Sequence, residues 1–527
     1  MVYHVEFRPS GCVVDVLGGE RLDVVACGAG VSLRRDCGGN GTCGKCKVLI
    51  DGRILLACRV NVLRDLVVTV PDVSSEREVI AVQTHDFIGD VPVAYGREAD
   101  VYGVAVDIGT TTIVAELHKI NAKADDGGQL NGVNFPLVVS CANPQRIYGD
   151  DVISRIQRII EEASFLAIFQ VMVIRAINEL IGRLVAAAGI NVTEITRVAV
   201  AGNTVMEHIF LGFDPSALGY FPFKSNFSEF PDCLGGDIGL NILSSGVVES
   251  LPIFGSFVGG DLVAGVLSVG MYSGGGTEFL IDIGTNGELV LYHGGEFYTS
   301  ATAAGPAFEG GRIEYGTLAV AGAIDHVMIN ESGVNVTTIA DAPPIGICGS
   351  GLMDVVAEML NNDLILPSGK FNVTIKSPLL NCWKIIDGRP VFVLVAEEKS
   401  GRKNEAIVIT QKDIRQVQLA VGAIRAGIKL LLRHINLNLD NIETFYVAGG
   451  FGSFIKLESA QRIGLIPAQL DKERIKICGN TSLAGARLTL FDSRIKSITK
   501  KIQQHAHSID LATIPDFADI FAEQMIF

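Results

Sequence analysis

Val101-Tyr102-Gly103-Val104-Ala105-Val106-Asp107-Ile108-Gly109-Thr110-Thr111-Thr112 is an apolar run that ends in a carboxylate, a glycine and three hydroxyls. The run has the length and composition of a buried strand over 101–106. The glycine permits a tight turn, whose N–H groups and hydroxyls can meet phosphate oxygens. The carboxylate at the strand end stands where Mg²⁺ or its water can be held. The same pattern returns as Phe279-Leu280-Ile281-Asp282-Ile283-Gly284-Thr285-Asn286. One such turn could be an ordinary strand end. Two of them suggest two similar lobes facing each other across a cleft for phosphate and Mg²⁺. A third element, Phe445-Tyr446-Val447-Ala448-Gly449-Gly450-Phe451-Gly452-Ser453, puts adjacent glycines after a strand, where backbone can approach a flat base or ribose.

Outward from these turns, strands and helices alternate. Pro144 to Arg158 begins a charged amphipathic helix and 163–188 is a long one. Val198-Ala199-Val200-Ala201 is a strand that leads through Gly202-Asn203-Thr204 into another helix. The alternation predicts α/β layers. Residues 1–80 differ: they carry short strand-like runs, with Asp51-Gly52 between two apolar runs as a hairpin signal. They also balance ten basic against ten acidic residues, so the net charge of −15 lies entirely beyond them. Residues 81–99, with Gly89, Pro92 and Gly96, have few periodic apolar positions and are expected to be a linker. The predicted division is 1–80, linker 81–99, a first lobe over 100–250 and a second over 251–527. The whole is α/β and α+β multidomain.

Eleven cysteines in 527 residues are too few for a disulfide scaffold. Four of them, Cys37, Cys43, Cys46 and Cys58, crowd into one stretch with Gly38, Gly39, Gly41 and Gly44 between. Four thiolates with glycine N–H groups between them suit an iron–sulfur cluster. Zinc usually shows two C-x2-C pairs, and only one is present. Core thiols would not crowd this way. The run Cys37-Gly38-Gly39-Asn40-Gly41-Thr42-Cys43-Gly44-Lys45-Cys46, with Leu56-Ala57-Cys58, resembles the plant-type and adrenodoxin-type ferredoxins. That resemblance implies a β-grasp ferredoxin-like domain holding a [2Fe–2S] cluster on the four cysteines. Arg34, Arg35 and Lys45 are either a charge source for the cluster or a solvated basic face. The other seven cysteines are expected to be mostly buried, inert thiols.

The order of the two Asp-Gly-Thr turns and the Gly449–Gly452 loop resembles the nucleotide site of the acetate and sugar kinase, Hsp70 and actin superfamily. It implies a two-lobed actin-like ATPase (ASKHA, RNase H-like) with ATP and Mg²⁺ in the cleft. Asp107 and Asp282 would position metal and water. Gly109, Thr110, Thr111, Thr112, Gly284, Thr285, Asn286, Gly449, Gly450, Phe451 and Gly452 would bind nucleotide. Glu288 and Glu309 are candidate water-orienting carboxylates. Further runs are Asn143-Pro144-Gln145-Arg146-Ile147-Tyr148-Gly149-Asp150-Asp151, Gly202-Asn203-Thr204-Val205-Met206, Ala304-Gly305-Pro306-Ala307-Phe308-Glu309-Gly310-Gly311, Gly346-Ile347-Cys348-Gly349-Ser350-Gly351 and Gln411-Lys412-Asp413-Ile414-Arg415. With the cysteine domain in front, the whole chain resembles the reductive activators of corrinoid proteins. The resemblance implies an ATP-dependent enzyme that takes an electron from a low-potential donor and passes it from the cluster to Co(II), regenerating Co(I) in a corrinoid protein partner. It also implies a homodimer.

The competing reading is an acetate- or sugar-kinase-like phosphotransferase carrying a regulatory ferredoxin domain. A net negative chain is a poor candidate for sequence-independent nucleic-acid binding. Segment 165–189 is interrupted by Gln170, Arg175, Asn178, Glu179 and Arg183, and no transmembrane helix is expected. The expected location is the cytoplasm. His208, His293 and His326 are expected to be structural.

Overall fold

The computed structural model describes residues 2–31, 33, 39, 41, 45–70, 101–120, 129–130, 133–134, 136–149, 151–374, 378–403, 405–450 and 455–527. The N-terminal residues form a five-stranded mixed sheet in the order Cys12–Leu17, Val2–Arg8, Leu66–Thr69, Lys47–Ile50, Arg53–Leu56. The first and last strands in sequence run parallel, with Val5 opposite Leu66, and the other pairs are antiparallel. This order, with the helix Leu22–Gly28 sharing a core with the sheet, is a β-grasp. Asp51 and Gly52 both have positive φ (50° and 74°), as a two-residue hairpin turn matching the strand twist requires.

The rest is built on two six-stranded sheets with one shared plan. In the first lobe, Leu137–Ala142, Thr112–Lys119 and Tyr102–Ile108 form an antiparallel meander. It is extended by parallel strands Ile195–Gly202 and Val247–Ser250, and by Cys233–Leu234 at the edge. In the second lobe, Glu296–Thr302, Gly287–His293 and Glu278–Ile283 make the meander. Thr444–Ala448 and Ile475–Gly479 then run parallel beside it, and Ala506–Ser508 closes the other edge. The repeated turn motifs of the sequence therefore sit at equivalent hairpins of a duplicated sheet. Helices Gly260–Ser268 and Thr481–Phe491 cross between the sheets and share a core with both.

The long helix Ser164–Ala188 is apolar enough by length and composition to cross a membrane. Here it buries Phe169, Val173, Ile177, Leu180, Ile181 and Leu184 in the core of the first lobe. Its polar side chains bind the same lobe: Gln170 donates to Phe210 O (3.1 Å), Asn178 to Gly239 O (2.9 Å) and Arg183 to Ser140 O (3.1 Å). The single helix expected from Pro144 to Arg158 is instead two elements, a 3₁₀ turn Pro144–Tyr148 and a helix Val152–Glu161. Gly149 (φ 144°) breaks them apart, and Asp151 caps the second by accepting from Ser154 N at 2.8 Å. Of the seven cysteines expected to be buried, Cys348 and Cys478 are; Cys12, Cys27, Cys141, Cys233 and Cys382 are only partly covered.

Candidate functional site: a cleft between two hairpin turns

Each hairpin turn is closed by its own backbone. Gly109 N donates to Thr112 O and Gly284 N to Asn286 O, both at 3.0 Å. The turns face each other across a cleft of about 1210 Å³, counted to its open mouth. Asp107, Gly109, Thr110, Thr112, Asp282, Gly284, Thr285, Asn286, Glu288, Glu309, Gly449 and Gly450 all line it. The Thr111 hydroxyl lies 3.2 Å from the Thr285 hydroxyl. Phe451 and Gly452 lie outside the described residues.

The turns are held from behind. Asn143 donates its Nδ2 to Gly109 O at 2.9 Å and its backbone N–H to Thr111 O at 2.8 Å. Asn203 donates to the Thr110 hydroxyl at 2.9 Å. The fully buried Arg155 donates to Thr110 O. Asp107 accepts from Asn480 Nδ2 and Ser482 Oγ, both at 2.8 Å. Gly449 has φ 127°, and a Cβ there would lie 2.4 Å from Ile283 O, so only glycine lets this loop pass the second turn.

The electrostatics of the cleft are one-sided. Burial pushes Asp282 and Glu288 well above the carboxylate range, and repulsion from Asp261 adds to it in both. Asp261 itself is pushed up to about 7 by burial, then by Asp107. Burial also raises Asp107 and Glu309. Carboxylates that raise one another this way are relieved by a cation, and the hydroxyls and turn N–H groups beside them suit phosphate oxygens. The arrangement can therefore hold a divalent cation together with a polyphosphate.

The chain is similar to proteins of known function. Residues 276–527 match the family model described as the C-terminal domain of RACo, the ASKHA domain, and residues 102–274 match the RACo middle region. The chain is 31% identical over 434 residues to the corrinoid activation enzyme RamQ of Eubacterium limosum, covering 82% of this chain and 71% of that one. The chain belongs to the reductive activators of corrinoid proteins. It is also 26% identical over 458 residues to the [Co(II) methylated amine-specific corrinoid protein] reductase of Methanosarcina barkeri, covering 80% of this chain and 76% of that one. A solved structure titled reductive activator for corrinoid, iron–sulfur protein superposes with a TM-score of 0.74 at 28% identity, covering 100% of this chain and 98% of that one.

Of the four cysteines predicted to carry a cluster in this activator, Cys37 and Cys43 lie outside the described residues. The other two come together: Cys46 and Cys58 are buried, neither forms a disulfide, and their sulfurs are 3.2 Å apart. Two buried thiols this close fit ligands to one metal. Two arginines unremarked in the sequence hold backbone carbonyls of the stretch ahead of Cys46. Arg21 donates to Gly39 O and Arg59 to Gly41 O, each at 2.9 Å. Arg21 also pairs with Asp23 at 2.7 Å, and that hydrogen bond raises the guanidinium above its ordinary value. Lys45 is not a solvated face: its Nζ donates to Ile313 O (2.5 Å) and Glu314 O (2.8 Å) in the second lobe.

Asp261, Asn480 and Ser482 line the cleft without having been singled out from the sequence. A signal existed for one. Gly479-Asn480-Thr481 repeats Gly202-Asn203-Thr204, and both asparagines cap a helix while reaching the first turn. The histidines are packing groups: His208 contacts Thr204 O at 2.6 Å, His293 Thr277 at 2.9 Å and His326 Asp354 at 3.0 Å.

Proposed function

We propose that this activator hydrolyses ATP with Mg²⁺ in the cleft and returns the Co(II) of a corrinoid protein to Co(I). Convergence of the two Asp-Gly-Thr turns on one acidic, hydroxyl-lined cleft carries the ATP part of this reading. The activities named for the relatives support the corrinoid part. Thr110, Thr111, Thr285 and the turn N–H groups would bind phosphates, and Asp107, Asp261 and Asp282 the cation or its waters. Gly449 and Gly450 would leave room for the nucleoside. Cys37, Cys43, Cys46 and Cys58 would hold a [2Fe–2S] cluster, which supplies one electron at a potential near roughly −400 mV in plant-type ferredoxins. The four sulfurs would fix that site, Arg21 and Arg59 would steady the stretch ahead of Cys46, and the half-buried thiols of the chain fit a reducing compartment such as the cytoplasm. The electron comes from a low-potential donor; a homodimer is the expected assembly. The division into a ferredoxin domain at 1–80, a linker at 81–99 and lobes at 100–250 and 251–527 belongs to the same proposal.

The test is anaerobic absorption spectroscopy of a Co(II) corrinoid protein mixed with the reduced activator, with and without ATP and Mg²⁺. Conversion to Co(I), with ADP and phosphate as the nucleotide products, is the expected result. No Co(I), or transfer of phosphate to a small molecule, rejects the proposal and in the second case favours the phosphotransferase.

A further inference from the structure

The N-terminal domain touches both lobes, and each contact lies within about five residues of a side chain that bonds to the turns, Asn143 on one side and Glu309 on the other. On the first-lobe side, the Cys27 thiol lies 3.6 Å from the Tyr148 hydroxyl. Tyr148 ends the short helix Pro144–Tyr148, and the residue that caps this helix is Asn143, which holds Gly109 O and Thr111 O. On the second-lobe side, Lys45 donates to the carbonyls of Ile313 and Glu314. Lys45 directly precedes Cys46. Those two carbonyls follow closely on Glu309, whose carboxylate accepts from the Thr111 hydroxyl at 2.7 Å and from the Thr285 hydroxyl. The strap 306–314 is pinned at the same residue, because Glu314 N donates to Asp413 Oδ1 at 2.8 Å.

One carboxylate thus satisfies a hydroxyl from each lobe. A nucleotide phosphate has the same sign of charge and needs the same hydroxyls. Glu309 and phosphate therefore compete, and whatever moves Glu309 moves the strap that Lys45 grips. We propose that Glu309 is a resident anion that holds the two turns together in the nucleotide-free protein. Nucleoside triphosphate displaces it, and strap 306–314 transmits the displacement to Lys45, releasing the cysteine domain from the lobes. The inference rests on the ATP reading above and adds to it a route from the cleft to the cluster domain.

Because coupling between two sites is reciprocal, a domain released by nucleotide must itself weaken nucleotide binding while docked. The test uses full-length, cluster-loaded protein and Mg²⁺ with a non-hydrolysable ATP analogue. Affinity is measured by calorimetry and radius of gyration by X-ray scattering. Lys45→Met, remote from the cleft, should bind the analogue at least about fivefold more tightly than wild type, the lower end of usual coupling. It should also be expanded without nucleotide, whereas wild type expands only on adding the analogue. Glu309→Gln, which keeps an acceptor but loses the charge, should shift both readouts the same way. If Lys45→Met loads no cluster, Glu309→Gln and Tyr148→Phe decide by the same two measurements. Analogue binding by wild type with no change in radius, or unaltered affinity in the variants, overturns the coupling alone. Absence of any binding by wild type overturns the ATP reading and this inference with it.

Discussion

Replacing Gly485 with alanine tests whether the crossing of the two hinge helices sets the cleft. Gly485 sits in the helix Thr481–Phe491, against Gly260–Ser268. A Cβ there would lie 2.2 Å from Ala264 O, 2.4 Å from its Cα and 2.5 Å from its carbonyl carbon. Ordinary carbon–oxygen contact is nearer ~3.4 Å, so the helices must separate by roughly an ångström, which packed backbone resists. Overpacking of this kind costs about 1–3 kcal/mol. Both helices end at the cleft: Asn480 and Ser482 hold Asp107 from one, and Asp261 stands on the other. Separation should therefore also loosen Mg²⁺-dependent ATP binding, by about tenfold for each 1.4 kcal/mol transferred to the site. Gly182→Ala is the control. That glycine lies in the long helix Ser164–Ala188 with nothing within 4 Å of its Cβ position, and alanine should stabilise by about 0.5–1 kcal/mol. Thermal melts and calorimetric ATP titration read both outcomes. If Gly485→Ala melts and binds ATP like wild type, the hinge reasoning is wrong.

Asp282→Asn should weaken Mg²⁺-dependent ATP binding by about tenfold to a hundredfold, the worth of one charge-assisted contact. It should also raise the melting temperature of the nucleotide-free protein, because repulsion from Asp261 and Asp107 is relieved; a lower melting temperature contradicts the electrostatic account. Cys58→Ala, which supplies no donor atom, should abolish the visible absorption of the reconstituted cluster while leaving ATP affinity in place, and an unchanged spectrum would remove Cys58 from the ligand set. Burial holds the His208 imidazole below its ordinary value. The unfolded chain then binds this proton before the folded one does. Stability should fall as pH drops through about 6.5, and the histidine's share of that slope should vanish in His208→Gln; urea melts across pH 5–8 check it.

What the sequence made legible was local. Asp107-Ile108-Gly109-Thr110 and Asp282-Ile283-Gly284-Thr285 announce their turns because an apolar strand that ends in a carboxylate, a glycine and a hydroxyl is written into adjacent residues, and at Gly109 a Cβ would lie 2.7 Å from Thr112 O. Asp51-Gly52 announced its hairpin because both of its residues must take positive φ. What stayed hidden was long-range. Nothing near Asp261 says that it will face Asp107 and Asp282, since that proximity is made by the helix crossing at Gly485. Lys45 looked like any basic residue in a glycine-rich loop, because its partners are backbone carbonyls of Ile313 and Glu314, and carbonyls leave no mark on a sequence. The break at Gly149 was missed because Pro144 and the charged, apolar spacing of 152–158 both favour helix; only the φ of 144° separates them.

On the proposed function, the two halves of the molecule would need one another for an energetic reason. An electron at about −400 mV reaches an acceptor of lower potential at a cost of tenfold in equilibrium for every ~59 mV. ATP can offset that cost only through states it binds unequally, since a ligand with equal affinity for two states shifts nothing. The structure supplies a physical basis for such inequality. Glu309 sits on hydroxyls from both turns, and the strap beyond it is gripped by the residue next to Cys46. An occupied cleft cannot keep that contact unchanged. Phosphate and Glu309 would need the same two hydroxyls, and the surrounding carboxylates make an unneutralised second anion costly. On that proposal, binding energy from the triphosphate would have a defined place to act, at the docking of the domain that carries the cysteines.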